Sequence, residues 1–160
     1  MAERERQQES EEQLVVFELA KEVYGLDIAK VQEIIRMQEI TNVPRAPRFV
    51  EGVINLRGKI IPIIDMRKRF DLEASDHSPE SRIIVVEIGT HTIGMIVDGV
   101  SEVLRIPTSV IEPPSPVVTT VDSEYLRGIA KLENRLIILL DLDKVLSYAE
   151  KRSLEEAPAA

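Results

Sequence analysis

Apolar and polar residues alternate along most of the chain with the period of two that is typical of half-buried β-strands. In the first strand, Val15, Phe17 and Leu19 share one face. The pattern predicts two sets of five strands, at residues 13–20, 23–27, 31–37, 52–56 and 59–65, and at 82–89, 91–97, 100–106, 127–133 and 135–141. It also predicts short helical segments at 28–30, 66–70 and 142–149.

Turn residues support these strand boundaries. Arg57-Gly58 is a two-residue turn in which glycine readily adopts the positive φ that a tight hairpin needs. Glu133-Asn134 takes the same place later in the chain, and asparagine tolerates that backbone as well. Pro62 has no N–H for a sheet ladder, which favours an edge or bulge position for its strand.

The two sets of strands are an internal repeat. Residues 13–36 align without a gap on 82–105, and residues 49–70 align on 125–146. The matched pairs include Gly25 and Gly94, Val31 and Val100, Glu33 and Glu102, Gly52 and Gly128, and Asp65 and Asp141.

Short strands joined by tight turns predict small barrels, and a half of this size has only a marginal core when it folds alone. We therefore expect an all-β fold with short helices, in which two barrels pack together and leave a groove for a partner. The expected organisation is a tail at 1–12, one domain at 13–148 with subdomains at about 13–70 and 82–148, and a second tail at 149–160.

Composition narrows the function classes. The net charge of −8 makes nucleic acid an unfavourable partner. The chain has no cysteine and two histidines, so thiolate chemistry is excluded and a histidine-based metal site is not expected. We expect no cofactor. Apolar runs are too short to cross a bilayer, and the N-terminal residues do not resemble a signal peptide, so a cytoplasmic protein is expected.

One pattern offers an enzymatic alternative. Asp65 and Asp141 end equivalent strands, and a pseudo-symmetric acid pair is the arrangement that aspartic proteases use. Neither aspartate lies in an Asp-Thr/Ser-Gly loop, however, and each precedes a predicted helix. We therefore expect both to be helix N-caps, whose carboxylates accept backbone N–H bonds.

Several segments together resemble the CheW family. They cover about residues 13–148, and their order and spacing carry the resemblance more than any single motif. The segments are Val23-Tyr24-Gly25-Leu26-Asp27-Ile28, Val31-Gln32-Glu33-Ile34, Gly52-Val53-Ile54-Asn55-Leu56-Arg57-Gly58, Ile63-Ile64-Asp65, Ile96-Val97-Asp98-Gly99-Val100 and Tyr125-Leu126-Arg127-Gly128.

The resemblance implies two intertwined SH3-like barrels of five strands each. It implies a non-catalytic adaptor that couples chemoreceptors to the histidine kinase CheA in chemotaxis. The partners would be the regulatory domain of CheA and the cytoplasmic tip of methyl-accepting chemoreceptors, which would recruit the chain to arrays at the inner face of the membrane. A CheW-like scaffold of another receptor–kinase pathway is the nearest alternative.

The resemblance also implies site residues. By matched position, the candidates for receptor or kinase coupling are Val31, Glu33, Gly52, Asn55, Arg57 and Gly58. Each has a structural alternative: core packing for the valine, a bulge for the first glycine, a turn for the asparagine, and a surface ion pair for the two charged residues. The apolar candidates for a kinase-docking surface at one end of the first barrel are Ile28, Ile40, Val43 and Phe49.

Overall fold

A computed structural model describes residues 10–73, 76–114 and 123–145 of the chain. The strands are β1 Glu11–Leu19, β2 Glu22–Asp27, β3 Val31–Arg36, β4 Val50–Leu56, β5 Lys59–Asp65, β6 Arg82–Ile88, β7 His91–Val97, β8 Gly99–Pro107, β9 Ile111–Glu112, β10 Leu126–Leu132 and β11 Arg135–Leu140. The α-helices are α1 Met66–Arg69 and α2 Leu142–Val145, and single 3-10 turns cover Ile28–Lys30, Thr108–Val110 and Ser123–Tyr125. These elements confirm the predicted mostly-β fold.

The strands form two sheets that exchange hairpins between the halves of the chain. The first barrel is the sheet with strand order β3-β6-β7-β5-β4, and the second barrel is the sheet with order β8-β1-β2-β11-β10-β9. The predicted intertwining of two five-stranded units is therefore present, with β9 as an added two-residue strand. Subdomains at 13–70 and 82–148 do not match these sheets, because each sheet contains strands of both halves.

Three apolar clusters hold this arrangement together. One cluster lies within the first barrel and includes Ile61, Ile63 and Val85. A second lies within the second barrel and includes Leu14 and Leu139. The third and largest cluster takes residues from both sheets, so it is the central core that joins the barrels. Burial of this shared surface is what makes two marginal units stable together.

The internal repeat extends to the irregular features of the sheets. Gly52 and Gly128 each follow a register shift, in the β4–β5 and the β10–β11 pairing respectively. A Cβ atom on Gly52 would lie 2.1 Å from the carbonyl oxygen of Thr41, and one on Gly128 would lie 2.8 Å from that of Glu112. Both glycines therefore allow a neighbouring backbone to approach, which is why they recur in the repeat.

The observed boundaries differ from the predicted ones in a few places. β1 begins at Glu11, inside the segment 1–12 that composition assigns to a tail, and the other residues of that segment up to position 9 lie outside the described ones. Glu12 in β1 forms an ion pair of 2.7 Å with Arg127, which helps to explain the longer strand. The C-terminal tail at 149–160 and the end of the predicted helix 142–149 also lie outside the described residues.

Pro62 is not in an edge strand, since β5 lies between β7 and β4. The edge interpretation is wrong for a simple reason. Pairing of β5 with β7 is parallel and begins at Ile63, so it starts one residue after the proline. The missing N–H of Pro62 therefore falls just outside this ladder.

Candidate interaction surface

The β4–β5 hairpin presents Arg57 at its tip. Arg57 and Gly58 have φ values of 51° and 85°, as expected for a two-residue turn with both central residues in the left-handed region. The Asn55 side chain accepts a hydrogen bond of 2.8 Å from the Gly58 backbone N–H, so Asn55 stabilises the turn. Three of the six predicted coupling residues therefore belong to one exposed turn.

Glu33 on β3 is the partner of Arg57. The guanidinium donates two hydrogen bonds to the carboxylate, from Nη1 to Oε1 at 3.2 Å and from Nη2 to Oε2. The pair links the edge strand β3 to the hairpin of the opposite edge strand β4. Hydrogen bonding to Glu33, with the attraction between the charges, raises the pKa of Arg57. The two residues thus form the surface ion pair that the sequence offered as the structural alternative to a coupling role.

The second barrel has an equivalent ion pair that the repeat alignment does not reveal. Glu102, which aligns with Glu33, accepts hydrogen bonds of 3.3 and 3.0 Å from Arg135. Arg135 is the first residue of β11 and aligns with Lys59, not with Arg57. The glutamate is therefore at the equivalent position in both barrels, whereas the arginine is in the turn of one hairpin and in a strand of the other. A comparison of the two repeats position by position misses this pair, but a search of the whole second hairpin for a basic residue would find it.

Val31 and Gly52 do not join the charged pair. Val31 is half-buried and packs against the central core, and it lies opposite Val86 next to a register shift in β3. Gly52 is buried beneath the backbone of Thr41, with a φ of 151°. Packing around both residues is compatible with the structural alternatives given for them, which are core for Val31 and a bulge for Gly52.

The predicted docking residues are more buried than the sequence suggests. Val43 and Phe49 are buried, with 5% and 8% of their surface exposed, and Ile28 and Ile40 are half-buried. Ile40 packs against the cluster of the first barrel and Ile28 packs against the central core. Val43 and Phe49 are therefore core residues, because the loop after β3 folds back onto the barrel, and a docking role for Ile28 and Ile40 stays a prediction.

Other apolar residues are exposed instead. The exposed large apolar side chains among the described residues are Ile34, Ile60, Val103 and Leu136. Ile34 and Val103 are repeat equivalents, and they lie opposite Ile84 and Val15, respectively, which are central-core residues. Directly opposite residues point to the same face of a sheet. Ile34 and Val103 therefore lie on the faces turned toward the other barrel, at the margin of the central core.

Asp65 and Asp141 are helix caps, as predicted. The Asp65 carboxylate accepts a hydrogen bond of 2.9 Å from the backbone N–H of Arg67 in α1. The Asp141 carboxylate accepts one of 3.1 Å from the N–H of Asp143 in α2. Both carboxylates are therefore used in the same local structural role at the ends of equivalent strands.

Asp98 connects the two barrels by hydrogen bonds. Its carboxylate accepts bonds of 3.0 and 2.5 Å from Arg67 of the first barrel. It also accepts a bond of 2.8 Å from the backbone N–H of Ala20, in the β1–β2 turn of the second barrel. Burial alone would raise the pKa of Asp98, but the bonds from Arg67 and Ala20 outweigh burial and lower it.

Arg69 makes a second connection between the barrels. Its guanidinium lies 5.0 Å from the ring centroids of both Phe49 and Tyr125, which is within the range of cation–π attraction. Its Nε donates to the backbone carbonyl of Val145 in α2. The two barrels are therefore joined by polar contacts as well as by the central core.

None of the helices in the described part of the chain is long and apolar enough to cross a membrane.

Comparison with known proteins gives a consistent result. The chemotaxis protein CheW of Klebsiella aerogenes is 40% identical over 139 residues, covering 87% of this chain and 84% of that protein. The chemotaxis protein CheW of Treponema pallidum is 36% identical over 146 residues, covering 89% and 86%.

A solved structure and a domain family agree with these relatives. The crystal structure of the scaffolding protein TtCheW from Thermoanaerobacter tengcongensis matches with a TM-score of 0.80 and 47% identity, over 87% of this chain and 90% of that one. The CheW-like domain family matches residues 13–150. That match spans both barrels and every predicted site residue, and the chain therefore belongs to the CheW family.

Proposed function

We propose that this chain is a non-catalytic adaptor that couples chemoreceptors to the histidine kinase CheA. Membership of the CheW family supports the proposal, since the similar proteins are named chemotaxis proteins and one is named a scaffolding protein. The adaptor would work in the cytoplasm, where receptor and kinase would hold it at the inner face of the membrane.

The observation that carries the proposal is the backbone of Arg57. A residue with a φ of 51° in a two-residue turn is preferably asparagine, aspartate or glycine, because other side chains crowd the backbone there. The turn nevertheless holds an arginine whose side chain is exposed. The turn itself does not require a long cation, and the bonds to Glu33 hold the guanidinium at the surface, so we assign Arg57 a contact role: its guanidinium suits carboxylates or carbonyl oxygens on a receptor helix.

Glu33 has an orienting role in this proposal. Its carboxylate fixes the guanidinium through two hydrogen bonds, which limits the rotamers that a free arginine side chain would sample. Ile60 on β5, three residues after Arg57, is exposed as well. A fixed charge next to an exposed apolar residue is a common composition for a protein-binding surface.

The kinase contact would lie at the end of the first barrel that carries Ile28 and Ile40. Both side chains are half-buried and still present part of their surface to a partner. Val43 and Phe49 would support this end from within, since they are buried. The enzymatic alternative receives no support from Asp65 and Asp141, whose carboxylates cap the helices that follow them.

Assembly from purified components tests the proposal. The tagged chain is incubated with CheA and a receptor cytoplasmic fragment, and the complex is recovered on the tag. We expect both partners to be retained, each also binding alone at higher concentration. Loss of retention for both would contradict the adaptor function. Phosphate transfer from CheA to this chain would contradict the non-catalytic part.

A further inference from the structure

Two arginines lie directly opposite one another at the end of the β3–β6 ladder in the first barrel. Arg36 ends β3 and Arg82 begins β6, and the two are partners in the antiparallel register. Directly opposite residues point to the same face with their Cβ atoms about 5 Å apart, and like charges in this position are unfavourable. Such a pair destabilises the sheet, so sheet stability gives no reason for it. It is also unexpected on a chain whose net charge is −8.

The second barrel avoids this repulsion at the equivalent place. There, Arg105 lies opposite the uncharged Gln13, and it lies 3.8 Å from the carboxylate of Glu11. In the first barrel, no acidic residue of the described chain is within ion-pair distance of Arg36. Repeat alignment places Glu80 where Glu11 would be, but Glu80 is exposed and forms no ion pair with Arg36. Arg105 of the second barrel thus has an acidic partner, whereas Arg36 of the first barrel has none among the described residues.

The two arginines line a cleft with a volume of about 390 Å³. Its walls are Arg36, Met37, Ser78, Pro79, Ser81 and Arg82. Arg82 is oriented by the carbonyl oxygens of Pro79 and Ser81, to which its Nη1 donates bonds of 2.8 Å each. Ser81 itself is buried and accepts a bond of 2.9 Å from the backbone N–H of Ser78, so the loop that forms the wall is braced.

We propose that this cleft binds carboxylate side chains of an acidic segment of a protein partner. Arginine and carboxylate form charge-assisted, frequently bidentate hydrogen bonds, and two guanidinium groups side by side suit adjacent acidic residues. Met37 supplies an apolar wall for the methylene groups of glutamate. Occupation of the cleft removes the repulsion between Arg36 and Arg82. The site goes beyond the proposed function, because it depends on neither named partner.

A peptide titration tests the site directly. The full chain is titrated with a blocked hexaglutamate peptide while the side-chain Nε–Hε signals of the arginines are followed by NMR. We expect saturable shifts at Arg36 and Arg82, weakening as salt rises, with Arg105 unaffected as the matched control. A hexaglutamine peptide should produce no shift. Absence of saturable shifts, equal shifts at Arg105, or equal binding of inorganic phosphate would overturn the proposal.

A charge reversal separates binding from structure. Arg36→Glu places an acid opposite Arg82, so the sheet should gain a favourable cross-strand pair and the melting temperature should not fall. Affinity for hexaglutamate should drop at least about tenfold, as expected when one arginine of a bidentate site is lost and an acid is added. Arg105→Glu serves as the matched control and should leave the peptide affinity unchanged. A variant that keeps full affinity at unchanged stability would show that Arg36 is not part of the site.

Discussion

Arg57 donates two hydrogen bonds to the carboxylate of Glu33, and this ion pair links the edge strand β3 to the β4–β5 hairpin of the first barrel. Glu102 and Arg135 form the corresponding link in the second barrel. The glutamates are equivalent by the repeat, whereas the arginines are not. Arg57 occupies a turn position with positive φ, and Arg135 occupies an ordinary strand position. Only the first pair therefore has its arginine at a turn position that favours glycine or asparagine.

Replacement of Arg57 by asparagine should separate stability from coupling. Asn-Gly is the preferred pair for this turn, so the melting temperature of Arg57→Asn should stay within about 2 °C of the wild type or rise. Formation of the ternary complex with receptor and CheA should fall steeply, because the guanidinium is gone. Thermal unfolding and co-sedimentation with receptor and kinase measure the two effects.

The matched control for this variant is Arg135→Gln, which removes the corresponding ion pair of the second barrel. We expect a similarly small change in melting temperature and normal assembly. If Arg57→Asn has a much lower melting temperature and yet still forms the ternary complex, the ion pair stabilises the fold and the contact role of Arg57 is wrong.

Gly52 and Gly58 should respond very differently to alanine. At Gly52 the new Cβ would lie 2.1 Å from the Thr41 carbonyl oxygen, so Gly52→Ala should cost about 3 kcal/mol or more of unfolding free energy. At Gly58 the φ is 85°, but an added Cβ would have no atom within 4 Å apart from its chain neighbours. Gly58→Ala should therefore cost about 1 kcal/mol of unfolding free energy, from backbone strain alone. Urea unfolding compares the two. Equal costs would show that the close approach of Thr41 is not what keeps Gly52 in place.

Asp98 should make the protein more stable at neutral pH than in acid. Its pKa is lowered in the folded state, so its contribution is present above the unfolded-state pKa of about 4 and is lost as pH falls through the folded-state value. Asp98→Asn should therefore melt earlier than the wild type at pH 7, and the gap should narrow as pH falls below about 4. Melting temperatures measured from pH 7 to pH 3 check this. A gap that stays constant would mean that ionisation of Asp98 does not contribute.

Local features of the fold follow from the sequence. The alternation of apolar residues places the strands, and the repeat identifies the caps Asp65 and Asp141 because strand, acid and helix recur together. Which strands pair with each other does not follow from the sequence in the same way. Residues 13–19 pair with β8 in the other half of the chain, and no local pattern specifies that choice. Burial of a central core shared by both sheets decides it.

The apolar docking residues illustrate the same limit. Val43 and Phe49 lie in a loop with no periodicity, so the sequence cannot distinguish a side chain that faces a partner from one that folds onto the barrel. The structure shows that both are buried. Ile34 and Val103, in contrast, belong to regular strands, but their exposure depends on where the neighbouring barrel ends. That is a property of the tertiary arrangement, not of the strand.

Receptor-dependent activation of CheA tests the central claim most directly. Phosphorylation of CheA from ATP is measured with receptor-containing membranes, in the presence and absence of this chain. The adaptor function predicts that receptor control of the kinase requires the chain, saturates with its concentration, and is lost when Arg57→Asn replaces the wild type. Control of CheA by receptors that is equally strong without the chain, or unchanged by its addition, would contradict the account.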